Sequence, residues 1–304
     1  MIADRPTPAV PALTPEDVAR SVHHVPSAPK VLPRLKQMLS DGNSAIHEIV
    51  MLIRLDVGIS ARVLQVANSA YYSQGNRCYT VEEAVARVGY DEVYDLVAYA
   101  VASQVLVRPL AAYGLEADEL WRQSVACALS AETIALYTGQ DRNVAYTNGL
   151  LHAVGLIAVD EWARRNPHSW TLVDEGFPRE TIGSERTALG FTNAEAGAAL
   201  LRIWDFPREM SEPVRWQYAP NASGGHLRMA CLLHAAKWLR STVCAGDRRL
   251  PALLDEAQLA PLGVSPKLLA GMVFMVETRL AEVSSLLDVE NDPRQGRLQL
   301  TEVD

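Results

Sequence analysis

Apolar residues recur along most of the chain at intervals of three and four positions, the spacing of one face of an α-helix. Strict alternation of apolar and polar residues, which would indicate half-buried strands, is nearly absent. The pattern therefore predicts an all-α fold with about a dozen helices or more. Two consecutive segments carry the signal most strongly, with the apolar faces Ile46, Ile49, Val50 and Ile53, then Ile59, Val63, Val66 and Ala67.

Residues that favour helix ends flank several of these segments. Thr80 and Glu83 form the Thr-x-x-Glu pattern of a capping box, and Gly89 follows that helix as a candidate C-cap. A long helix is predicted from about Glu116 to Thr138, with Gly139 just past its end. The other predicted helix starts are Thr14 before Pro15, Thr192 with Glu195, and Ser265 before Pro266, which is predicted to open a last long helix.

Composition separates one large helical region from two tails. The first 12 residues contain three prolines and no apolar period, so residues 1–24 are predicted to be a flexible tail followed by a first short helix. Residues 25–285 are predicted to form one helical domain, and residues 286–304 a C-terminal tail. No repeat of 20 to 50 residues is present, so a solenoid is not predicted.

The composition becomes more polar and glycine-rich at Arg108–Gly114. This segment is predicted to join an N-terminal lobe, about residues 25–110, to a C-terminal lobe, about residues 115–285. The helices on both sides carry apolar faces. The two lobes are therefore expected to pack against each other rather than to move as separate domains.

Charge and cysteine content narrow the function classes. The net charge is −8, with 36 acidic and 28 basic residues, and an acidic surface disfavours nucleic-acid binding. The four cysteines are far apart, so neither a zinc ribbon nor a disulfide framework is predicted. The N-terminal residues contain no apolar stretch of signal-peptide length, and no apolar run is long enough to span a membrane. We therefore expect a cytoplasmic protein without membrane contact.

Several blocks of sequence resemble a known family. In the first half, "LPRLKQML", "EIVMLIRLDVGISARVLQVANSAYYS" and "VEEAVARVGYDEVYDLVAYAVASQVL" resemble the N-terminal part of the HDOD family. In the second half, "LWRQSVACALSAETIA", "NVAYTNGLLHAVGLIAVD", "LGFTNAEAGAALLRIWDFP" and "LLHAAKWLRS" continue the resemblance, which spans about residues 25–285. HDOD domains are all-helical relatives of the HD-type metal phosphohydrolases. The resemblance implies a signalling module whose hydrolase chemistry is reduced or lost.

The resemblance also assigns positions to the metal ligands of an HD hydrolase. Such an enzyme holds its ion with several His and Asp side chains, because a catalytic ion needs at least three protein ligands. Only His152 is retained here, and a Lys at a former carboxylate position adds positive charge to a cation site. We therefore predict no metal, no cofactor and no hydrolase activity. The aligned positions are Gln123, His152, Ala153, Asn193, Gln217 with Tyr218, and Lys237.

His152 itself has two interpretations. It lies in "GLLHAVGLIAVD", a segment apolar nearly all round, which favours a buried histidine that bonds to a neighbour. The alternative is that His152 lines a residual cleft at the place of the ancestral substrate.

A second group of candidates lies in the N-terminal block. Asp56, Asn68 and Ser69 can serve as helix caps, since Asp, Asn and Ser compete well for backbone groups at helix ends. The alternative is that these three residues and Tyr72 form a polar surface that a partner or ligand recognises.

Three function classes remain in order of preference. The first is a non-catalytic regulatory module that acts through protein–protein interaction. The resemblance implies partners among signalling proteins in trans, such as cyclic-di-GMP enzymes or sensor kinases, because no cyclase, phosphodiesterase or receiver domain is recognisable in this sequence. The second class is a nucleotide sensor that uses a degenerate hydrolase cleft, and the third is an active metal phosphohydrolase. The sequence does not indicate an oligomeric state.

Overall fold

The structure is a computed structural model of the chain. It describes residues 13–22, 31, 35, 38, 45–73, 75–89, 92–93, 109–166, 172, 181–245 and 251–288. Several predictions fall outside these residues, namely the tails at residues 1–12 and 289–304 and most of the apolar segment after Gly89. Among the described residues, no single helix is long and apolar enough to cross a membrane.

The described residues are helical, which confirms the all-α prediction. They form no β-strand and contain one isolated bridge, between Leu110 and Leu115. The helices are α1 (Pro15–Arg20), α2 (Ile46–Arg54), α3 (Val57–Asn68), α4 (Ala70–Ser73), α5 (Val81–Val88), α6 (Ala117–Thr138), α7 (Arg142–Leu151), α8 (Val154–Arg165), α9 (Ile182–Leu189), α10 (Asn193–Ile203), α11 (Arg208–Arg215), α12 (Leu227–Val243), α13 (Glu256–Leu259), α14 (Pro266–Gly271) and α15 (Val273–Asp288).

Most predicted helix ends are confirmed by their hydrogen bonds. The Thr80 hydroxyl accepts from the Glu83 backbone N–H and the Glu83 carboxylate accepts in return, so the capping box is complete. Capping boxes also begin α1 at Thr14 and α10 at Thr192. One prediction is wrong in part: the helix that begins after Ser265 ends at Gly271, and α15 begins only at Val273.

The N-terminal lobe contains α2, α3 and α5, packed against one another. Asp56 caps α3, because its carboxylate accepts from the Ile59 backbone N–H at 2.8 Å. Two side chains from the C-terminal lobe bind the end of α2 directly. Trp121 Nε1 donates to the Leu55 carbonyl at 3.0 Å, and the Tyr146 hydroxyl donates to the Arg54 carbonyl at 3.1 Å. The two lobes therefore pack together through directed bonds.

The segment predicted as a joint is firmly held within the part that the structure describes. Arg108 lies outside the described residues, whereas Pro109–Gly114 forms a short 3-10 turn against the C-terminal lobe. The Ala112 backbone N–H donates to the Asp160 carboxylate at 2.9 Å, and the fully buried Tyr113 donates its hydroxyl to Glu185 at 2.7 Å. The described part of this polar, glycine-rich segment is therefore a turn that packs against the C-terminal lobe.

Two glycines bring the helices of the C-terminal lobe into close contact. A Cβ added at Gly149 in α7 would lie 2.7 Å from the Ala128 Cα in α6. A Cβ added at Gly155 in α8 would lie 1.8 Å from the Asn193 carbonyl oxygen at the start of α10. Only glycine allows these backbone approaches. They fix the position of the residues between the two glycines, which include His152 and Ala153.

A buried carboxylate connects three parts of the molecule. Glu132 in α6 is 6% exposed and binds Arg279 of α15 through a short ion pair. Its other oxygen lies 3.6 Å from Arg54 of α2 and 3.7 Å from Arg142 of α7. The attraction of these three arginines offsets the cost of burying the Glu132 carboxylate. Glu132 thereby ties the N-terminal lobe and the last helix to the long helix of the C-terminal lobe.

Candidate functional site

His152 and Ala153 lie in a turn between two helices rather than inside one continuous helix. His152 is the C-cap residue of α7, and Ala153 is the N-cap residue of α8 without a side-chain cap. Both side chains are buried, with 3% of each residue exposed. The sequence pattern did not reveal this break, because the segment is apolar on both sides of it and contains no proline.

The ring of His152 is fully engaged. Its Nδ1 lies 2.7 Å from the Gly149 carbonyl, and its Nε2 lies 2.8 Å from Nη1 of Arg240. A guanidinium can only donate, so Nε2 accepts from Arg240 and the ring proton resides on Nδ1, which donates to Gly149. Burial, Arg240 and Lys237 all hold the pKa of His152 well below its usual range, so the ring is neutral. The lone pair that a metal ion would use is occupied by Arg240.

The aligned pair Gln217 and Tyr218 lies beside this histidine. Gln217 Nε2 donates to the His152 carbonyl at 3.1 Å and to the Val214 carbonyl at 3.0 Å. The Gln217 backbone carbonyl bonds His234 Nδ1 at 2.9 Å. Gln217 therefore holds the α7–α8 turn against α12 through backbone groups, and it supplies no metal ligand of the His type.

Asn193 binds a buried acid on the neighbouring helix. Its Nδ2 lies 2.9 and 3.0 Å from the two carboxylate oxygens of Glu185, and its backbone N–H donates to the same carboxylate at 2.7 Å. The Tyr218 hydroxyl lies 3.1 Å from Asn193 Nδ2. Glu185 is fully buried, and burial raises its pKa despite these bonds and that from Tyr113. The Asn193 side chain thus connects Glu185 to Tyr218.

The Lys237 side chain points into the cluster. The residue is 9% exposed, and its Nζ lies 3.2 Å from the centre of the Tyr218 ring. Nζ has no hydrogen-bond partner in the described part of the chain. Burial and the nearby Arg240 hold the pKa of the Lys237 amine well below its usual range. A basic group therefore lies where the family resemblance places a ligand carboxylate.

These residues do not fit a divalent metal ion. Gln123 bonds Glu119 within α6, at 3.1 Å, and no contact joins Gln123 to His152. Across the described ranges, no group of three or more His, Cys, Asp or Glu side chains is placed to hold an ion. The remaining candidate ligand, His152 Nε2, already accepts from a cation. The structure brings His152, Asn193 and Lys237 into one cluster, whereas the Gln123 side chain bonds within its own helix.

The N-terminal candidates separate into buried clips and one surface residue. Asp56 and Asn68 are 0% and 1% exposed, so they are not part of a polar surface. The Asn68 side chain accepts from the Cys78 backbone N–H at 2.7 Å and donates to the Cys78 carbonyl at 3.0 Å. The Ser69 hydroxyl donates to the Val66 carbonyl at the end of α3. Their polar atoms bond the local backbone, and the burial of Asp56 and Asn68 rules out the alternative of a four-residue surface.

Tyr72 is the member of this group that lines an open cleft. The cleft has a volume of about 540 Å³ and is lined by Tyr71, Tyr72, Ser73, Asn76 and Arg87. The Tyr71 side chain is 82% exposed and meets the Tyr72 ring edge to face, with ring centres 4.7 Å apart. Arg87 donates to the Asn76 carbonyl at 2.6 Å, which closes one side of the cleft.

Two important residues of the cluster were not among the predicted candidates. Arg240 follows Lys237 by three positions on α12, so the spacing on one helix face could have revealed it. Glu185 is separated from every block of the family resemblance, and its only signal is an acidic residue in a moderately apolar helix. Its binding to Asn193 depends on the packing of α9 beside α10, which no local pattern encodes.

Comparisons with known proteins show the family and the fold of this chain. Residues 25–220 match the family model of the HDOD domain. An uncharacterized protein of Treponema pallidum (strain Nichols) is 26% identical over 205 residues, which cover 66% of this chain and 39% of that protein. This chain thus spans well under two thirds of that relative's length.

Solved structures show the same fold. The MmoQ response regulator of Methylococcus capsulatus has a TM-score of 0.66 at 21% identity, with 83% of this chain and 99% of that chain covered. A virulence factor of Campylobacter jejuni has a TM-score of 0.61 at 16% identity, with 88% and 100% covered. The match of the family model over more than half of the sequence settles the relationship: this chain belongs to the HDOD domain family.

Proposed function

We propose that this HDOD protein is a non-catalytic regulatory module that acts through protein–protein contacts. The observation that carries the proposal is the bond from Arg240 to His152 Nε2. In an HD hydrolase, a metal ion needs the free lone pair of such a histidine to activate water. Here a guanidinium uses that lone pair and the Lys237 amine lies beside it, so the chemistry of the ancestral site is blocked.

The open cleft beside Tyr71 supports a role in contact with a partner. Tyrosine is enriched at protein interfaces, because its ring supplies apolar area while its hydroxyl remains polar. Tyr71 is the most exposed of the large apolar side chains that the structure describes, and Tyr72 and Arg87 lie next to it. The MmoQ protein is described as a response regulator, so signalling proteins, including sensor kinases or cyclic-di-GMP enzymes, are the proposed partners.

Two measurements test the proposal. The purified protein with manganese should not hydrolyse phosphodiesters above background, and manganese-dependent turnover that is lost on His152→Ala would overturn the non-catalytic assignment. For the contact role, a partner captured from the native host should bind the purified wild-type chain. Tyr71→Ala should weaken that binding. Phe274→Ala, which removes an aromatic side chain of an exposed residue on α15, should leave it unchanged. Equal binding by all three proteins would exclude the cleft as the contact surface.

A further inference from the structure

Two basic side chains lie on the same face of α12 in the cluster around His152. Lys237 and Arg240 are three residues apart, a spacing that places side chains on neighbouring positions of one helix surface. Lys237 is buried, whereas Arg240 is half-buried and reaches the edge of the cluster. The two groups therefore form a basic site that runs from the interior toward solvent.

Within the described residues, no carboxylate lies close enough to form an ion pair with this site. Neither Lys237 nor Arg240 forms an ion pair there, and Lys237 Nζ is without any hydrogen bond. Arg240 donates from Nη1 to the neutral His152 ring and from Nη2 to the Ser241 hydroxyl, at 3.3 Å. The buried acid of the cluster, Glu185, is committed to Tyr113 and Asn193.

Burial without a counter-ion makes the charged form of the Lys237 amine costly and favours its neutral form, whereas a bound anion would favour the charged form. The ring of Tyr218 offsets part of this cost through a cation–π contact with Lys237. A second positive field comes from α8, a helix of 12 residues whose N-cap, Ala153, supplies no side-chain acceptor. An anion bound at the cluster would neutralise both side chains and interact favourably with this helix end.

We propose that Lys237 and Arg240 bind the phosphate group of a small molecule, beside the turn formed by His152 and Ala153. A phosphate suits the site because its oxygens accept from a guanidinium and an ammonium at the same time. The half-buried Arg240 provides the entry, and Lys237 provides the buried end. The place at which a hydrolase holds a cation thus becomes a place for an anion. This inference goes beyond the regulatory role proposed above and does not depend on it.

The test is calorimetric titration of the full chain with inorganic phosphate in the presence of excess EDTA. We expect about one phosphate per chain and a rise in melting temperature. Lys237→Met and Arg240→Gln should each weaken binding by about tenfold or more, the effect of one lost charge-assisted hydrogen bond. Gln at position 240 removes the charge and keeps a polar side chain. The matched control Lys267→Met removes an exposed lysine on α14 and should bind phosphate as the wild type does.

A second readout separates a binding site from a packing role. Without phosphate, Lys237→Met should melt at or above the wild-type temperature, because Met replaces a buried amine that has no hydrogen-bond partner. A large drop in melting temperature for Lys237→Met would show a structural role instead and would count against the proposal. If phosphate binds without EDTA but not in its presence, a metal ion and not the two side chains binds the phosphate, and the proposal is overturned.

Two further outcomes decide the rest. No binding at millimolar phosphate, or equal binding by wild type and Lys237→Met, would also overturn it. A parallel titration with adenosine monophosphate separates the sources of phosphate: tighter binding than that of inorganic phosphate assigns the site to monoesters, and equal or weaker binding assigns it to the free anion. Both outcomes support a phosphate site. Partner capture is measured separately, so the two proposals can fail independently.

Discussion

Two buried asparagines at helix ends serve opposite purposes in the two lobes. Asn68, at the end of α3, bonds both backbone groups of Cys78 and so fixes the loop that follows the exposed Tyr71. Asn193, at the start of α10, bonds the side chains of Glu185 and Tyr218. The first shapes a backbone beneath an open surface, whereas the second belongs to a side-chain network.

The polar groups around Asn68 and Asn193 differ in the same way. Around Asn68 the polar atoms are satisfied locally, and the exposed groups next to it remain available to a partner. Around Asn193 the polar atoms bind one another, and the charge of the neighbouring Lys237 and Arg240 is not balanced by a carboxylate in the described residues. The N-terminal region therefore offers a surface, and the C-terminal region offers a charged interior.

The largest expected effect comes from Asn193→Asp, which places a second carboxylate within hydrogen-bond distance of Glu185. We expect a loss of about 3–5 kcal/mol in the free energy of unfolding at neutral pH, because like charges are buried together. The folded-state pKa of the coupled pair would be raised above its unfolded value. The stability is then fully present below the unfolded pKa of about 4 and is lost as pH rises through the folded pKa.

Urea unfolding of this variant and the wild type between pH 4 and neutral pH measures the effect. Asn143→Asp makes the same chemical change at an exposed position of α7 and should stay within about 0.5 kcal/mol of wild type. A gap between Asn193→Asp and wild type that does not widen with pH would mean that Asn193 and Glu185 are not coupled.

A smaller loss is expected for Asn68→Ala, which removes both bonds to the Cys78 backbone. The buried N–H and carbonyl of Cys78 would lose their side-chain partner, at a cost of about 1–3 kcal/mol. Thermal and urea unfolding measure this loss. Asn76→Ala, at an exposed asparagine of the same loop, should change stability by less than about 0.5 kcal/mol. Equal stabilities for the two variants would show that the bonds from Asn68 to Cys78 do not hold the loop.

The smallest expected effect comes from Ala153→Asp, which restores the letters His-Asp. From the sequence, a carboxylate in an apolar helix would be costly, but Ala153 is an N-cap, where Asp is favoured. The nearby Arg240 and Lys237 favour the charge as well. We therefore expect a stability change within about 1 kcal/mol and metal content at background.

Melting curves with and without manganese, together with elemental analysis, measure this variant. Ala153→Asn adds the same shape without the charge, so the difference between the two variants isolates the electrostatic part. A manganese-dependent rise in melting temperature with about one equivalent of metal would show that the cluster can still hold an ion.

Local sequence predicted the elements better than the site. Capping boxes at Thr80 and Thr192 and the glycine after α6 act within a few residues, so their hydrogen bonds follow from spacing alone. The break at His152 has no such signal. It arises because backbone contacts at Gly149 and Gly155 direct the two helices along different neighbours.

The candidate residues show the same limit. The structure brings three of the aligned positions, His152, Asn193 and Lys237, into one cluster, but the resemblance did not indicate that Arg240 donates to the lone pair of the histidine. Asp56 and Asn68 are buried and bond the backbone. Residue type alone did not predict this, because their burial depends on the packing of α3 against α5. Tyr72 was found, but the cleft beside it also needs Arg87, which lies on a different helix.

The close helix contacts at Gly149 and Gly155 determine the shape of the C-terminal lobe independently of the side chains in the cluster around His152. Backbone atoms meet there directly, so the position of the α7–α8 turn is maintained by van der Waals contact. The position of this turn therefore does not depend on a bound metal ion, unlike that of folds in which metal binding supplies the folding free energy. Ligands at the neighbouring positions can therefore be exchanged during evolution one at a time, while the scaffold that presents them persists.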